Sequence, residues 1–519
     1  MARGKELARR RQRAHRGVPA ARHKHIRSGG AVEREIKLEV PPYAWDGLVA
    51  EMSGPESRRL ALRAIYHDTT DQALAAAGIS LRVRSEDGRW VQTLKAARGS
   101  IFERLEDSVT LGPVTEDGAA PPADPQLHAA AQDLLRQALS LTGNAPLPML
   151  PPAFEVRVLR RLQQVVHGGS VIEIALDEGE LLALGRTRPL RELELELVHG
   201  CERDLLALAR RWRGRWGLWI STASKAARGA RLATGALHGT ALGARPPSLP
   251  PKAAPAGFTA AVLDACLDQV LSNAGEIAAG SQADEHVHQL RVGVRRLRTA
   301  LRHLSFPANV RAEVEPALVD VFRDLGTHRD RNHVLRSIAP LVEAAGGRPL
   351  RIPAGFHAAG DPGELVRGAP FQDALFVLLL AGDARRGRKD TKIKRLLRAR
   401  LGKLHRQVTR DGAQFTRLRL DQQHRVRKRL KRLRYLAEFA APLYSAGKVE
   451  DFVAALKPAQ DVIGEYNDQV MAQALYEELA GSDPGALFGV QWLAQRRADE
   501  AKACRRALRK LKGAEAFWE

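Results

Sequence analysis

Hydrophobic and polar positions alternate along Glu33-Arg34-Glu35-Ile36-Lys37-Leu38-Glu39-Val40. On a strand successive side chains point to opposite faces, so Glu33, Glu35, Lys37 and Glu39 share one face while Ile36, Leu38 and Val40 share the other. Taken alone, such a strand fits an ordinary half-buried sheet with its charged face in water. The period recurs, however. Leu60 to Thr69 reads as a second strand, Ile79 to Arg84 and Trp90 to Ala96 flank the turn Glu86-Asp87-Gly88-Arg89 as a hairpin, and Ile101 to Leu111 follows. Beyond a Pro/Ala/Gly-rich loop over 112–125, Gln126 to Leu141 carries a helical period, and strands are expected at Phe154–Val166, Ser170–Leu176 and Leu190–Val198.

Eight strands accumulate, and most carry an ionic face. Acids dominate the first and last of them (Glu33 and Glu35; Glu173 and Asp177; Glu192, Glu194 and Glu196), whereas cations dominate the middle ones (Arg82, Arg84, Lys95, and Arg104 beside Glu106). A sheet with one wet face needs no such sorting. If the sheet closes, that face becomes an interior, where each uncompensated ion costs several kcal/mol. A barrel with a charged lumen therefore asks for metal ions on its carboxylates and an anion on its cations.

Residues 235–256 are rich in Gly, Pro and Ala and read as a semi-rigid linker. From Phe258 onward long Leu/Ala/Arg segments with helical period replace the alternation. In the segment His286 to Arg302, His288, Arg291, Arg295, Arg298 and Arg302 fall within a stripe of about 80° at 3.6 residues per turn. Leu290, Val294, Leu297, Leu301 and Leu304 fall on a separate apolar face. The arrangement returns with His424, Arg427, Lys431 and Arg434, and Leu325-Gly326-Thr327-His328-Arg329-Asp330 is echoed by Ile463-Gly464-Glu465-Tyr466-Asn467-Asp468. An internal duplication is the economical explanation, with the two stripes brought to a shared surface. Neither 286–302 nor 424–434 contains an acid, so the usual lacing of a charged helix by i,i+4 salt bridges is absent along the segment itself.

Composition sharpens the picture. The chain of 519 residues is long enough for two domains or more. Its 82 Lys+Arg against 59 Asp+Glu give a net charge of +23, which points to polyanionic partners. Aromatics are 5% of the chain, and only Tyr435 flanks a stripe, which argues against the stacking interface of a single-strand nucleic-acid binder. Cys201, Cys266 and Cys504 have no metal-ligand or disulfide spacing. The basic leader over 1–30 runs into no apolar segment, and the longest apolar run, Ala374 to Ala381, is too short to span a bilayer. A cytoplasmic protein with no membrane partner is the expectation.

The first half resembles the CYTH domain, or triphosphate tunnel metalloenzyme, family over about 31–234. The resemblance rests on Glu33-x-Glu35-x-Lys37 and continues in order through Tyr66-His67-Asp68-Thr69, Leu81-Arg82-Val83-Arg84, Thr93-Leu94-Lys95 and Arg104-Leu105-Glu106. It ends with Arg160, Glu173 and Asp177, Glu192 to Glu196, and Ser224-Lys225. It implies an eight-stranded antiparallel β-barrel tunnel with flanking helices that cleaves a phosphoanhydride with Mg2+ or Mn2+. Carried over, it makes Glu33, Glu35 and Lys37 catalytic, and Glu33, Glu35, Asp177, Glu194 and Glu196 metal ligands, with Glu173 an alternative to Asp177. It gives phosphate binding to Lys37, Arg82, Arg84, Lys95, Arg104, Arg160 and Lys225. In the sixth strand Arg157, Arg160 and Arg161 crowd together, and a bulge there decides which faces inward.

The second half, about 257–519 and including Ala516-Phe517-Trp518, is similar to the CHAD family. That implies an all-α domain of two pseudo-symmetric four-helix repeats, about 257–385 and 386–519, binding inorganic polyphosphate through His288, Arg291, Arg295, Arg298, Arg302, His424, Arg427, Lys431 and Arg434. Asn332 and Arg425 depart from the family pattern. Together the two resemblances lead to the expectation of a metal-dependent inorganic triphosphatase acting on tripolyphosphate or a related triphosphate, with a polyphosphate-binding module attached. The alternatives are a non-catalytic polyphosphate binder at polyphosphate granules, or a relative acting on thiamine triphosphate or a nucleoside triphosphate, including cyclisation of ATP. Oligomeric state is not fixed by these patterns.

Overall fold

The computed structural model describes residues 31–98, 100–143, 145–249, 257–351, 360–384, 390 and 392–519. The basic leader and the stretch 250–256 of the expected linker lie outside the described residues. So do the side chains of 327–332, which include the last four residues of the first copy of the echoed motif and Asn332.

The amino-terminal part comprises β1 (Ala31–Glu39), α1 (Trp45–Glu51), β2 (Arg58–His67), α2 (Ala73–Ala76), β3 (Ile79–Glu86), β4 (Arg89–Arg98) and β5 (Ser100–Pro113). There follow α3 (Gln132–Ala138), β6 (Pro152–His167), β7 (Ser170–Ala183), β8 (Arg186–His199), α4 (Glu202–Trp216), β9 (Trp219–Ser221) and α5 (Lys225–Thr234). The strand order is β5-β4-β3-β2-β6-β7-β8-β1-β9, and β5 also pairs with β1, so the eight expected strands close into an antiparallel barrel with the short β9 added beside β1. The β3–β4 hairpin turns at Asp87-Gly88, both left-handed, as the Asp-Gly pair requires. β7 runs past Leu176 to Ala183 and turns at Leu184-Gly185. Its Gly179 is there for space, since a Cβ at that position would stand 1.9 Å from the Arg157 carbonyl oxygen of β6.

Two compact units make up the chain. One comprises residues 31–33, 62–98 and 104–156. Its core gathers Leu81 and Val83 of β3, Trp90 and Leu94 of β4, and Leu135 of α3. The expected helix over 126–141 is α-helical only from Gln132 to Ala138. Its beginning breaks into tight turns because His128 is drawn inside, where it meets Asp107 at 3.1 Å and Gln92 at 3.0 Å.

The other unit comprises 34–61, 99–103 and 157–519. Ile36 and Leu38 of β1, Ile174 and Leu176 of β7, and Leu193 and Leu195 of β8 form an apolar sheet face covered by Trp45 and Leu48 of α1 and Leu205 and Leu208 of α4. The alternation in the sequence holds, with one addition. The ionic face is buried as well: Glu35, Lys37, Glu173, Asp177, Glu192 and Glu196 are each at most 8% exposed. This excludes a solvated sheet face.

The carboxy-terminal part of this unit is helical: α6 (Phe258–Ala278), α7 (Asp284–His303), α8 (Ala308–His333), a π-helical turn (Val334–Ile338), α9 (Ala339–Ala344), α10 (Pro362–Arg367) and α11 (Ala369–Asp383). A second set follows with α12 (Ile393–Ala413), α13 (Leu420–Ala440), α14 (Ala446–Ala480) and α15 (Ala486–Lys510). Leu290, Val294, Leu297 and Leu301 of α7 are buried, as are Val426, Leu430 and Leu433 of α13. Trp518 closes the second set edge-on against Phe452 and His405. Among the described residues, no helix is long and apolar enough to cross a membrane.

Candidate active site

Register places the acids. β1 pairs with β8 as Glu35 to Glu196, Lys37 to Glu194 and Glu39 to Glu192, and β8 pairs with β7 as Glu196 to Glu173 and Glu192 to Asp177. Directly opposed residues point to one face. Two rows of carboxylates therefore cross three strands, Glu35-Glu196-Glu173 and Glu39-Glu192-Asp177, with Lys37 and Glu194 between them.

Cations clamp the second row and Glu194. The Lys225 ammonium lies 2.7 Å from Asp177 and 3.0 Å from Glu194, and it also holds Glu192. It projects from the first residue of α5, whose start is fixed by the Ser224 hydroxyl accepting the Ala227 N–H. Arg160 donates to both oxygens of Asp177 at 2.7 and 2.6 Å and reaches Glu194 at 2.6 Å, the bidentate geometry in which guanidinium is strongest. That settles the crowded sixth strand. Arg161 turns to Glu178 at 3.8 Å, and Arg157 is exposed. Lys37 spans Glu194 at 2.8 Å and Glu35 at 2.6 Å.

The electrostatics follow from this packing. Burial alone would lower the Lys37 and Lys225 ammonium values, yet Glu194 and Glu35 raise the first, and Asp177, Glu192 and Glu194 raise the second. Burial works to raise Glu194, and Lys225, Lys37 and Arg160 hold it well below the usual carboxylate range. Asp177 is lowered in the same way, against burial, by Arg160 and Lys225. Glu192 differs: burial pushes it up in spite of Lys225 and Arg228.

The residues fit a divalent cation. Three like-charged side chains opposed across neighbouring strands are destabilising on their own, and carboxylate oxygens are what a hard cation takes. The Glu35-Glu196-Glu173 row is partnered in part by Lys37 on Glu35 and Gln164 on Glu173. Among the described residues, Asp177, Glu192 and Glu194 are the carboxylates whose oxygens gather within 4.8 Å of one another, a spacing suited to an ion. The ammonium of Lys225 sits on all three. Of the expected ligands, Glu35 and Glu196 are thus neighbours in one row, and Asp177 and Glu194 lie under Lys225 and Arg160.

In the other unit, Glu33 accepts from Lys95 at 2.5 Å, with Glu106 3.9 Å from the same ammonium. Arg82 lies 3.4 Å from the Tyr66 hydroxyl, and Arg84 is paired with Glu86. Arg104, on β5, is half-buried. Two functional candidates were given no role in the sequence reading. Glu192 is wholly buried at the centre of the clamp, and Arg228 joins it to Glu39, holding Glu192 at 2.8 Å. Arg228 follows Lys225 by three residues, one helical step, which is the signal that could have found it.

On the helices, the first stripe packs against α8. Arg291 and Arg295 lie over the Phe322 ring at 4.7 and 5.6 Å, and Glu315 accepts from Arg298 at 2.8 Å and Arg302 at 3.0 Å. The acid missing from 286–302 is therefore supplied by another helix. His288 is half-buried on the same stripe. On α13, Arg434 is held by Glu438 at 2.6 Å and Gln460 at 2.9 Å, and His424 is exposed with Arg427 and Lys431 half-buried. On α13 the cations that meet Arg298 and Arg302 of the α7 stripe stand one position further round. Burial lowers Lys428, as do Arg432, Arg298, Arg427 and Arg302, and burial lowers Arg432, as do Arg302 and Arg298. His303 is pushed down to about 4 by burial and by Arg432, Arg400, Arg302 and Lys403. Cations of α7, α12 and α13 thus gather around Lys428, Arg432 and His303.

Comparison with known proteins places this geometry. Residues 31–230 match the CYTH domain and residues 261–477 the CHAD domain. The inorganic triphosphatase of Haemophilus influenzae is 29% identical over 200 residues, 38% of this chain and 52% of that protein, so the chain spans about half the length of the curated relative it matches. The solved CHAD domain of the plant Ricinus communis is 24% identical and covers 52% of this chain and 96% of its own, with a TM-score of 0.41. A putative adenylyl cyclase from Hippeastrum, described as having a dominant triphosphatase activity, is 22% identical and covers 40% of this chain and 97% of its own, with a TM-score of 0.29. The chain carries a CYTH domain followed by a CHAD domain.

Proposed function

We propose that the CYTH domain hydrolyses a linear triphosphate, tripolyphosphate foremost, with Mg2+ or Mn2+, and that the CHAD domain binds inorganic polyphosphate. The observation that carries the reading is the buried ionic face, on which Lys37, Arg160, Lys225 and Arg228 are packed among five carboxylates of three strands. Buried charges in this number are costly as a purely structural device. An ammonium offers three donors and a guanidinium five, so each cation can exchange a carboxylate for a phosphate oxygen and stay paired. Arg82, Arg84, Lys95 and Arg104 are the phosphate-binding cations proposed for the other unit.

A divalent cation held by Asp177, Glu192 and Glu194 would supply Lewis-acid charge at the phosphate oxygens. The chain's own cations hold the substrate and stabilise the charge that gathers on the leaving oxygen. Water bonds to the terminal phosphorus, the bridging oxygen leaves with the bond pair, and the water proton passes to a carboxylate of the Glu35 row. Lys37, held between Glu35 and Glu194, orients that carboxylate.

The test is phosphate release with Mg2+ or Mn2+ from tripolyphosphate, long-chain polyphosphate, ATP and thiamine triphosphate in parallel. Release from tripolyphosphate is expected to exceed the others and to vanish in Glu35→Gln, which keeps its retention on polyphosphate. No turnover of any substrate, with polyphosphate still retained, refutes the enzymatic reading and leaves a localising binder.

A further inference from the structure

The segment that leaves α5 does not hang free. The Leu242 N–H and carbonyl bond to the Asn273 side chain of α6 at 3.1 and 2.9 Å, and the wholly buried Arg296 of α7 donates to the Arg245 carbonyl at 2.9 Å. Glu276 of α6, 8% exposed, is the main attachment. It accepts the Gly239 N–H at 3.1 Å and Arg231 of α5 at 2.7 Å, and it faces His238 at 3.5 Å.

Arg231 is the third cation of an i, i+3, i+6 series on α5, so its neighbours along the helix surface are Arg228 and then Lys225. The first two members grip Glu192 in the tunnel wall, and the third is held by the CHAD domain. A second tie runs through the sheet. Gln372 of α11, 2% exposed, accepts the N–H of Ile220 at 3.0 Å, and its amide is anchored on the Val366 carbonyl at 2.7 Å. Ile220 lies on β9 opposite Leu38, the residue after Lys37. The side chain thus satisfies a strand-edge donor that burial would otherwise leave unpaired. A cavity of about 480 Å³ lies among Glu39, Trp219, Arg228, Arg231 and Glu276. Beside that cavity Arg228 is fixed by Glu39, Glu192 and the Ala223 carbonyl, and Arg231 by Glu276.

We infer that the CHAD domain is a positioning element of the tunnel: Glu276, through Arg231 and the ten-residue helix α5, sets Lys225 and Arg228 against the lumen carboxylates. This rests on the reading of the lumen as the triphosphate site. Glu276 and Arg231 are positioning residues, since neither touches the reacting atoms.

The test uses the full chain with Mg2+. Glu276→Gln keeps the shape and removes the charge, and Arg231→Met keeps the length and removes the cation. Both are expected to weaken tripolyphosphate binding by about fivefold or more in calorimetry and to raise KM alike, with kcat within about twofold and polyphosphate retention unchanged. Arg231→Lys keeps the ion pair and is expected to restore affinity to within about twofold of the parent. Parent-like affinity in both Glu276→Gln and Arg231→Met overturns the inference, as does a loss that Arg231→Lys shares in full. A parent that neither binds nor cleaves tripolyphosphate overturns the lumen reading itself, and the inference with it.

Discussion

Lys225→Met tests the clamp most directly, because it removes the charge and keeps the length. The ammonium contacts Asp177 and Glu192, whose side chains are wholly buried, and Glu194, 13% exposed, so the modest value of a surface ion pair does not apply. Removing one partner from a buried ionic group costs about 3–5 kcal/mol. Arg160 stays on Asp177 and Glu194, Lys37 on Glu194, and Arg228 on Glu192. These remaining pairs place the expected loss at the lower end, about 3 kcal/mol. The pH dependence has a definite sign. Lys225 lies above its ordinary value, so its contribution is whole at pH 7 and is lost only as pH rises through the folded value. Asp177 and Glu194 lie below theirs, so the parent keeps their contribution down to acid pH. In the variant these carboxylates rise, Glu192 rises further from its already raised value, and their protonation relieves the deficit as pH falls. Chemical denaturation followed by tryptophan fluorescence at pH 7.5 and 5.5 measures both effects. A deficit below about 1 kcal/mol, the scale of a surface pair, refutes the reasoning, and so does a deficit equal at the two pH values.

Two further outcomes concern the helices. Lys428→Ala with Arg432→Ala is expected to weaken polyphosphate retention and to reduce the slope of log affinity against log salt by about 2, one per phosphate-contacting cation. Arg434→Ala, which removes a residue already held by Glu438 and Gln460, should change the slope much less. His303, pushed down to about 4, is neutral in the free protein at pH 7, and its contribution to stability is whole above the ordinary histidine value and lost as pH falls toward 4. A polyanion offsetting Arg432, Arg400, Arg302 and Lys403 removes the lesser cause of the shift and leaves burial in place, so affinity should rise modestly on going from pH 7.5 to 5.5. A pH-titrated binding series with His303→Gln, which should flatten the rise, is the check.

Alternation made the barrel wall legible. Ile36, Leu38 and Val40 are in the core, and the ionic face of β1 is opposite them, as a period of two demands. Register was the part that alternation alone could not supply. Which carboxylates form a row depends on pairing Glu35 with Glu196 and Glu173, and that is set by strands far apart in sequence. The end of β7 was hidden because Asp177-Glu178-Gly179-Glu180 has turn composition, whereas the glycine serves close approach to β6. The helical stripes were legible as faces, but their partners were not. Glu315 lies outside the segment it neutralises, and Lys428 and Arg432 meet Arg298 and Arg302 only once α7 and α13 are packed.

The same limit applies to how the two domains are joined. A Gly/Pro/Ala stretch between two family patterns suggests a tether, whose value would be a raised local concentration of condensed phosphate. A tether leaves each domain its own core. Here a single cluster of buried apolar side chains runs from Ile36 and Leu193 in the tunnel wall through Leu218 and Ile220 to Phe258, Ile277 and Phe371 in the helices. Arg213 of α4, 6% exposed, is paired with Asp373 of α11 at 3.0 Å across the same seam. Burying apolar area is worth roughly 25 cal/mol per Å², so parting the domains would expose a face of the wall that carries Lys37. The helices are therefore part of what holds the wall in place, and a polyanion bound to them would act on a body continuous with the strands that carry Glu35, Lys37 and Glu194.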